Sequence, residues 1–271
     1  MATGGNGISK DMAARLTAVA HDLADAARIE TLKLFRSPDL RPDNKAAAGF
    51  DPVTAADRAS ERAMREILAR QRPEDAILGE EFGTTPGQSG LTWVLDPIDG
   101  TRAFMAGAPS WGVLIGLGDA DGPIYGIIDQ PHLEERFEGG LGIARMIGRH
   151  GTVPLATRRG VSLTEATLMT TYPEVGDGTE HAAFRRVADR ARLVRYGLDC
   201  YAYALLAAGH VDLVIEAGLQ AYDVAAPIAV VRAAGGVVSN WRGGPAHGGG
   251  RIIAAGSAEL HAAALELLNA A

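Results

Sequence analysis

A short apolar strand that runs directly into two carboxylates is the strongest chemical feature of the sequence. The run 93–95 is followed by Asp96 and, three residues later, by Asp99. Pro97 stiffens the turn between them, and Gly100 permits sharp backbone geometry. Asp and Gly also build ordinary turns, so this string alone is as consistent with a structural role as with a functional one.

Three further acidic features occur elsewhere in the chain, and each also has an ordinary structural interpretation. Asp57 ends a string, 54–57, that resembles a capping box. Glu80 and Glu81 follow a predicted strand, where solvent exposure is usual. Asp223 begins a predicted apolar helix, where Asp is commonly the N-cap. All of them lie at strand ends or helix starts, where ligands gather in α/β folds.

Carboxylates that converge repel one another unless cations lie between them. Hard oxygen ligands without a matching set of His or Cys favour Mg²⁺ over Zn²⁺. The seven histidines show no zinc-ligand spacing, and the sequence contains no Walker-type loop, complete dinucleotide fingerprint or nucleophile elbow. These absences weaken the ATPase, Rossmann-oxidoreductase and α/β-hydrolase interpretations.

Composition narrows the class of protein further. The chain has 271 residues, 47% hydrophobic and 22% charged, which excludes a disordered chain. Its formal net charge of −7 argues against a general nucleic-acid binder. Cys200 is the single cysteine, so no intrachain disulfide can form. Residues 1–7 lack signal-peptide features, and no stretch is apolar enough for a membrane helix. We therefore expect a soluble, cytoplasmic protein that binds neither nucleic acid nor membrane.

Hydrophobic periodicity predicts the elements that must position these acids. Helices are predicted over 9–35, from 54 to before Pro73, and over 181–191, 201–208, 224–234 and 257–268. Strands are predicted over 76–78, 91–95, 111–117, 124–128, 168–171, 193–195, 211–215, 236–239 and 252–254, with short strands and turns over 133–153 and a loop over 38–52. This order predicts one α/β unit over 1–271, a layered sandwich with halves 9–155 and 156–271.

Five separated motifs, taken in order, resemble the inositol monophosphatase-like family of Mg²⁺-dependent phosphatases. They are Asp57, Gly79-Glu80-Glu81, Asp96-Pro-Ile-Asp99-Gly-Thr101, Tyr222-Asp223-Val-Ala and Gly235-Gly236. The resemblance runs from about residue 10 to the C-terminus. Tyr222 stands where the family has Trp, an aromatic exchange. The resemblance implies an α-β-α-β-α sandwich, in agreement with the predicted elements, and a homodimer.

The resemblance also implies roles for individual residues. The implied ligands of two Mg²⁺ ions are Glu80, Asp96, the Ile98 carbonyl, Asp99 and Asp223, with Asp57 helping a looser additional metal. Glu80 and Thr101 are implied to position and activate the attacking water, with Asp99 as the third catalytic residue. Backbone N–H groups around Gly100 and Thr101 are implied to hold the phosphate at a helix start. No covalent enzyme intermediate is needed.

The family leaves several phosphate esters open as substrates, among them inositol phosphates, histidinol phosphate, adenosine bisphosphates and sugar bisphosphates. The stretches 111–115, 126–131 and 196–216 resemble the histidinol-phosphatase branch more than the inositol branch. Histidinol phosphate carries an ammonium group and an imidazole, which carboxylates suit. Beside Asp99 and Asp223, the substrate-binding candidates are Glu216 and Asp199, although Asp199 is equally consistent with a helix cap. Arg102 receives no role.

Two alternatives stay open at this point. One is an inositol-1-monophosphatase or a related small-molecule phosphatase. The other is a regulatory interaction protein on the same scaffold, since some family members have acquired such roles. A family member that no longer acts as an enzyme could lose any of the implied metal ligands. All of them are present here, which favours an enzyme acting on a small phosphate ester.

Overall fold

The computed structural model describes residues 8–44 and 52–270, which contain seven α-helices and fifteen strands. The helices are α1 Lys10–Leu34, α2 Ala55–Gln71, α3 Thr101–Ala106, α4 Gly178–Ala188, α5 Cys200–Ala207, α6 Ala221–Ala233 and α7 Ala258–Leu268. The strands are β1 Pro42–Asn44, β2 Pro52–Thr54, β3 Ala76–Gly79, β4 Gly83–Thr85, β5 Thr92–Asp99, β6 Gly112–Asp119, β7 Gly122–Gln130, β8 Glu135–Gly140, β9 Ile143–Gly148, β10 Gly151–Pro154, β11 Thr167–Thr170, β12 Leu193–Tyr196, β13 Leu213–Leu219, β14 Val237–Asn240 and β15 Gly250–Ala255.

Two large sheets and three helical layers form the predicted α-β-α-β-α sandwich. The eight-stranded sheet has the order β10-β9-β8-β7-β6-β5-β3-β4, and the five-stranded sheet has the order β12-β11-β13-β15-β14. Helices α1 and α2 pack on the outer face of the first sheet, and α4 and α7 cover the second. Helices α5 and α6 lie between the sheets, where one apolar cluster joins these two helices to both sheets.

The central helix α6 packs directly against glycines of the eight-stranded sheet. A Cβ atom at Gly126 would lie 2.6 Å from the Ala226 carbonyl oxygen, and one at Gly139 would lie 2.6 Å from Cα of Val230. Both distances are too short for any side chain to occupy. The glycines that punctuate the predicted strands therefore let a helix approach the sheet backbone, which brings the start of α6 close to the end of β5.

Local sequence signals explain how the first helices begin. The Ser9 hydroxyl accepts a hydrogen bond from the Met12 N–H, as an N-cap does. Thr54 and Asp57 form the predicted capping box at the start of α2, with the Thr54 N–H donating to the Asp57 carboxylate at 2.8 Å.

The structure corrects several element boundaries. The predicted loop over 38–52 carries β1 and β2 at its two ends, where they pair antiparallel, and its centre, 45–51, lies outside the described residues. Helix α6 begins three residues before the predicted 224. Asp223 is therefore not the N-cap: Gln220 takes that position, and Asp223 is the third residue of the helix. No helix among the described residues combines the length and apolar character that crossing a membrane requires.

Candidate active site

A β-bulge at the end of β5 turns two carboxylates toward the same side. Residues three apart on a regular strand point to opposite faces. Here Asp96 pairs with Leu114 but Asp99 pairs with Gly112, so β5 holds one more residue than β6 across this interval. Pro97 has no backbone N–H to donate. It lies in the bulge, where no hydrogen bond between the strands is lost for that reason. The bulge explains why the spacing of these two acids suits a shared site.

The turn after β5 requires a glycine for two reasons. Gly100 has φ of +83°, which an L side chain rarely adopts. A Cβ atom there would also lie 2.9 Å from the Asp199 carboxylate, which packs against the Gly100 backbone from the other half of the chain. Helix α3 begins directly afterwards at Thr101, whose hydroxyl donates to the Ile98 carbonyl oxygen at 3.1 Å. This turn brings the two halves of the chain into contact at the site.

A backbone N–H fixes one oxygen of each central carboxylate. The Ile98 N–H donates to Asp96 Oδ1 at 3.0 Å, and the Cys200 N–H donates to Asp99 Oδ2 at 2.6 Å. The Gln220 N–H donates to Asp223 Oδ2 at 2.7 Å, which is the capping-box bond of α6. Asp57 is oriented in the same manner by Thr54. At Asp57 and Asp223 these hydrogen bonds belong to capping boxes, so helix capping and the orientation of these two carboxylates are the same interaction.

The three aspartates converge tightly. Each of Asp96, Asp99 and Asp223 offers a carboxylate oxygen within 4.8 Å of the others. Burial raises the pKa of Asp96 and Asp99 well above the usual range, and neighbouring carboxylates raise both further. Burial also raises the pKa of Asp223 to about 6. Among the described residues, the charges with the largest effects on these three groups are other carboxylates, so a bound proton or cation would relieve the repulsion within the cluster.

Glu80 and Asp57 extend the cluster. Glu80, half-buried after β3, shares a hydrogen bond with Asp96 and raises its pKa electrostatically. Burial raises the pKa of Asp57 to about 6, and Glu80 adds to the shift. Of the five acids that the sequence singled out as candidate metal ligands, three converge within 4.8 Å, Glu80 contacts Asp96, and Asp57 lies near enough to Glu80 to feel its charge. The Ile98 carbonyl, which belongs to the same bulge, adds a neutral oxygen.

This donor set fits Mg²⁺. It consists of carboxylate and carbonyl oxygens, the ligands that a hard divalent cation prefers. The raised pKa values give the second argument, because a cation bound among these groups relieves the same repulsion that a proton relieves.

A cavity of about 250 Å³ opens beside the cluster and is walled by both halves of the chain. Glu216 lies on it at a second β-bulge, between the Glu216–Ile252 and Leu219–Gly250 pairs. Burial raises the pKa of Glu216 to about 7, although hydrogen bonds from Thr170 and Thr171 oppose the shift. Both substrate candidates of the sequence therefore lie on this cavity, since Asp199 also lines it.

Asp199 does not cap α5 in the way that the alternative interpretation predicts. It precedes the helix, but its side chain makes no capping hydrogen bond, and its φ of +47° is unusual for a residue other than glycine. Burial raises the pKa of Asp199 to about 6, and the charge of Arg102 opposes that shift. The side chain packs against the Gly100 turn, at the edge of the cavity.

Arg102 and Tyr172 form a contact that the sequence did not predict. The Arg102 guanidinium donates to the Tyr172 hydroxyl at 2.8 Å and lies over its ring, 5.4 Å from the centroid. Tyr172 lines the cavity just beyond β11, so the pair connects α3 to the second half beside the cavity. A Tyr directly after the predicted strand 168–171 carries no periodic or motif signal, and only the fold brings it to Arg102.

Comparisons with known proteins agree with this geometry. A sequence model of the Inositol monophosphatase family matches residues 12–271. The chain is 39% identical to the bifunctional phosphatase IMPL2, chloroplastic, of Arabidopsis thaliana, over 94% of this chain and 75% of that protein. It is 36% identical to the histidinol-phosphatase of Mycobacterium tuberculosis, over 92% of this chain and 95% of that one. A solved inositol monophosphatase from Zymomonas mobilis has a TM-score of 0.81 and 40% identity, covering 93% of this chain and 97% of its own.

Proposed function

The chain belongs to the inositol monophosphatase family, and on that premise we propose that this phosphatase is a Mg²⁺-dependent histidinol-phosphate phosphatase of histidine biosynthesis. The observation that carries the proposal is a cluster of three aspartates whose largest charge interactions, among the described residues, are with other carboxylates, beside a cavity that offers two further acids. A phosphate dianion needs a cation to enter such a site, and a cationic leaving group needs acids beyond it.

In this proposal, Mg²⁺ is held by Glu80, Asp96, Asp99, Asp223 and the Ile98 carbonyl. Asp57 supports an additional ion that is bound more loosely. When bound, two such ions supply charge neutralisation of the phosphoryl group and of the leaving oxygen and lower the pKa of water. The backbone N–H groups that fix one oxygen of Asp96, Asp99 and Asp223 keep the carboxylates preorganised, so little reorganisation accompanies the reaction.

Thr101 and Glu80 orient the attacking water. The Thr101 hydroxyl gives its hydrogen to the Ile98 carbonyl, so its oxygen lone pairs are available to accept a hydrogen bond from water. Glu80 accepts the proton that the water loses as it attacks phosphorus. The first backbone N–H groups of a helix lack intrahelical acceptors, and those around Gly100 and Thr101 bind the phosphate oxygens.

Asp199 and Glu216 select the leaving group. Histidinol phosphate presents an ammonium group and an imidazole, and both acids lie on the cavity wall. Asp199 binds the ammonium through a charge-assisted hydrogen bond, since its carboxylate is not engaged in capping. A neutral sugar alcohol offers no cation for this carboxylate.

A substrate panel tests the proposal. Hydrolysis of L-histidinol phosphate, myo-inositol 1-phosphate and adenosine 3′,5′-bisphosphate is compared at matched concentrations with saturating Mg²⁺, and we expect histidinol phosphate to have the highest kcat/KM. The second candidate, inositol-1-monophosphatase, is favoured by the similarity to the Zymomonas mobilis enzyme. If inositol phosphate has the highest kcat/KM, the histidinol assignment fails and the phosphatase assignment stands.

The variant Asp199→Ala adds a second test of the substrate. Removing this carboxylate should lower kcat/KM for histidinol phosphate by about tenfold or more, because an ion-supported hydrogen bond to the substrate contributes about 1.5–3 kcal/mol. A neutral phosphate ester should lose much less. Equal losses on the two esters would assign Asp199 a structural role at the Gly100 turn.

The proposal includes the organisation of the protein. The chain acts as one phosphatase unit, with the metal and phosphate loops in 9–155 and the substrate-selecting half in 156–271. It is a cytoplasmic homodimer whose partner in the reaction is a small phosphate ester. Light scattering coupled to size-exclusion chromatography should give twice the chain mass of 28.3 kDa.

A further inference from the structure

The hydroxyl group of Tyr203 is buried and makes no hydrogen bond to the part of the chain that the structure describes. Tyr203 lies on α5 and is only 3% exposed, so bulk water does not reach it freely. A buried hydroxyl without a partner costs free energy, and most such groups in folded proteins are paired. Tyr203 lines the cavity beside the acidic cluster, so a molecule in the cavity can supply the missing partner.

Carboxylates surround this hydroxyl. The charges that raise the pKa of Tyr203, after burial itself, are those of Glu216, Asp99 and Asp223. The phenol therefore stays protonated and neutral, and it is a hydrogen-bond donor on a wall otherwise dominated by acceptors. A ligand group that accepts a hydrogen bond suits Tyr203, whereas the carboxylates suit groups that donate.

The carboxylate of Glu216, which lines the same cavity, can accept a further hydrogen bond. Its Oε1 accepts from the N–H and the hydroxyl of Thr171, at 2.7 and 2.9 Å, while its Oε2 accepts from the Thr170 hydroxyl at 3.0 Å. A carboxylate oxygen can accept two hydrogen bonds, so Oε2 can accept one more. The Tyr203 hydroxyl is therefore a buried neutral donor on the cavity wall, and Glu216 supplies an acceptor there that its threonine partners hold in place.

A neutral imidazole has the complementary pair of groups, one N–H donor and one nitrogen acceptor on a single ring. We propose that Tyr203 is a specificity-determining residue that donates its hydroxyl proton to the imidazole nitrogen of histidinol phosphate while Glu216 accepts from the ring N–H. This inference rests on the proposed function and adds a residue that neither the motifs nor the periodicity singled out. A phenyl ring of similar size leaves both groups unpaired, so the site discriminates against it.

The test pairs one substitution with two substrates. Wild type and Tyr203→Phe are assayed with L-histidinol phosphate and with L-phenylalaninol phosphate, which keeps the phosphate and the ammonium but has no ring nitrogen. The pH is held near 8, where the imidazole is neutral. We expect the substitution to lower kcat/KM for histidinol phosphate by about tenfold, as loss of one buried hydrogen bond implies. Turnover of phenylalaninol phosphate should be unchanged or improved.

Tyr201→Phe is the matched control. Tyr201 lies two residues away on α5, and its hydroxyl donates to Glu135 Oε2 at 2.8 Å, where it lines a different cavity. Its loss should leave the ratio of kcat/KM for the two substrates as in wild type. The melting temperature of Tyr203→Phe should not fall, because the hydroxyl that is removed has no partner to lose.

Three results would overturn the inference, and only one of them would also overturn the proposed function. Equal losses on both substrates would reduce Tyr203 to a packing role, and kcat/KM values that stay at the wild-type level on both substrates would show that its hydroxyl does not contact the ring. Both results leave the histidinol-phosphatase assignment intact if wild type prefers histidinol phosphate over inositol phosphate. A wild type that does not hydrolyse histidinol phosphate overturns the proposed function and this inference together.

Discussion

Two groups of buried carboxylates in this molecule have opposite electrostatic environments. The first, the site carboxylates, consists of Glu80, Asp96, Asp99 and Asp223. The second, the paired carboxylates, consists of Asp129 and Glu138 on β7 and β8 of the same eight-stranded sheet. Arg28 and Arg136 donate to Asp129 at 2.7–2.9 Å, and Glu138 contacts His21, Tyr125 and Arg145.

Burial raises the pKa of the three site aspartates and opposes the lowering at Glu138, so the partners decide the direction in which the pKa of Glu138 is shifted. Burial alone would raise the pKa of Glu138, but hydrogen bonds from His21, Tyr125 and Arg145 lower it to about 2. The site carboxylates are buried beside one another, and the pKa of Asp96 is raised well above its usual range. The chain therefore supplies its own cations on the α1 side of the sheet. At the end of β5, the charges that shift the three aspartates most, among the described residues, are those of other carboxylates, and the proposed function assigns the balancing charge to an ion from solution.

Removing a site carboxylate should have the largest effect. Asp99→Asn takes away one negative charge and one metal ligand, and we expect kcat/KM to fall by more than about a hundredfold, since even indirect partners of metal sites contribute ten- to a hundredfold. The melting temperature without Mg²⁺ should not fall, because the variant has less repulsion between buried charges. Near-normal turnover at saturating Mg²⁺ would remove Asp99 from the metal site.

Removing a paired carboxylate should have the opposite pattern. Asp129→Asn leaves the Arg28 and Arg136 guanidinium groups without their shared buried partner, which should cost about 3 kcal/mol of folding free energy. The melting temperature should fall by about 10 °C. At temperatures well below the transition, kcat should stay near that of wild type. A large loss of kcat in a stably folded Asp129→Asn protein would contradict the distinction between the two clusters.

Mg²⁺ should stabilise the protein in a pH-dependent manner. An acid whose pKa is higher in the folded state favours folding when protonated, and it loses that advantage as the pH rises from its unfolded value near 3.8 through its folded value. The folded pKa of Asp57 and of Asp223 is about 6, so protons on these two carboxylates compete with the metal more strongly at pH 5 than at pH 7.5.

The corresponding measurement is the melting temperature in chelator and in excess Mg²⁺ at the two pH values. At pH 7.5 the ion should add about 2.7 kcal/mol at a hundred times its Kd, and at pH 5 much less. Asp129→Asn should retain this difference, and Asp99→Asn should lose most of it. An Mg²⁺ effect that is equal at both pH values would contradict a site built from these carboxylates.

The residues of the candidate site were easier to single out from the sequence than their surroundings, because most of them lie in local signals. The string 96–101 lies in one strand and turn, and the capping box of Thr54 and Asp57 spans four residues. Asp223 was predicted as a site residue, but its predicted position at the helix start was wrong. Hydrophobic periodicity does not locate the first residue of a helix to within three residues. The bulge that aligns Asp96 with Asp99 depends on pairing with β6, which no local pattern encodes.

Long-range partners could not be predicted at all. Arg28 contacts Asp129 across 101 residues of sequence, and Arg102 contacts Tyr172 across 70. Tyr203 lies in a run of small and apolar residues, where an aromatic side chain indicates ordinary core packing. Only the cavity beside it and the missing partner of its hydroxyl distinguish it from a core residue.

Phosphate release from L-histidinol phosphate across a Mg²⁺ titration, starting from fully chelated protein, tests most directly whether the site carboxylates form the cation-dependent catalytic centre. Wild type should release no phosphate in chelator and should respond saturably to Mg²⁺. Asp129→Asn should follow wild type at low temperature, and Asp99→Asn should stay inactive throughout. Turnover that persists after complete chelation, or an Asp99→Asn titration that matches wild type, would contradict this assignment.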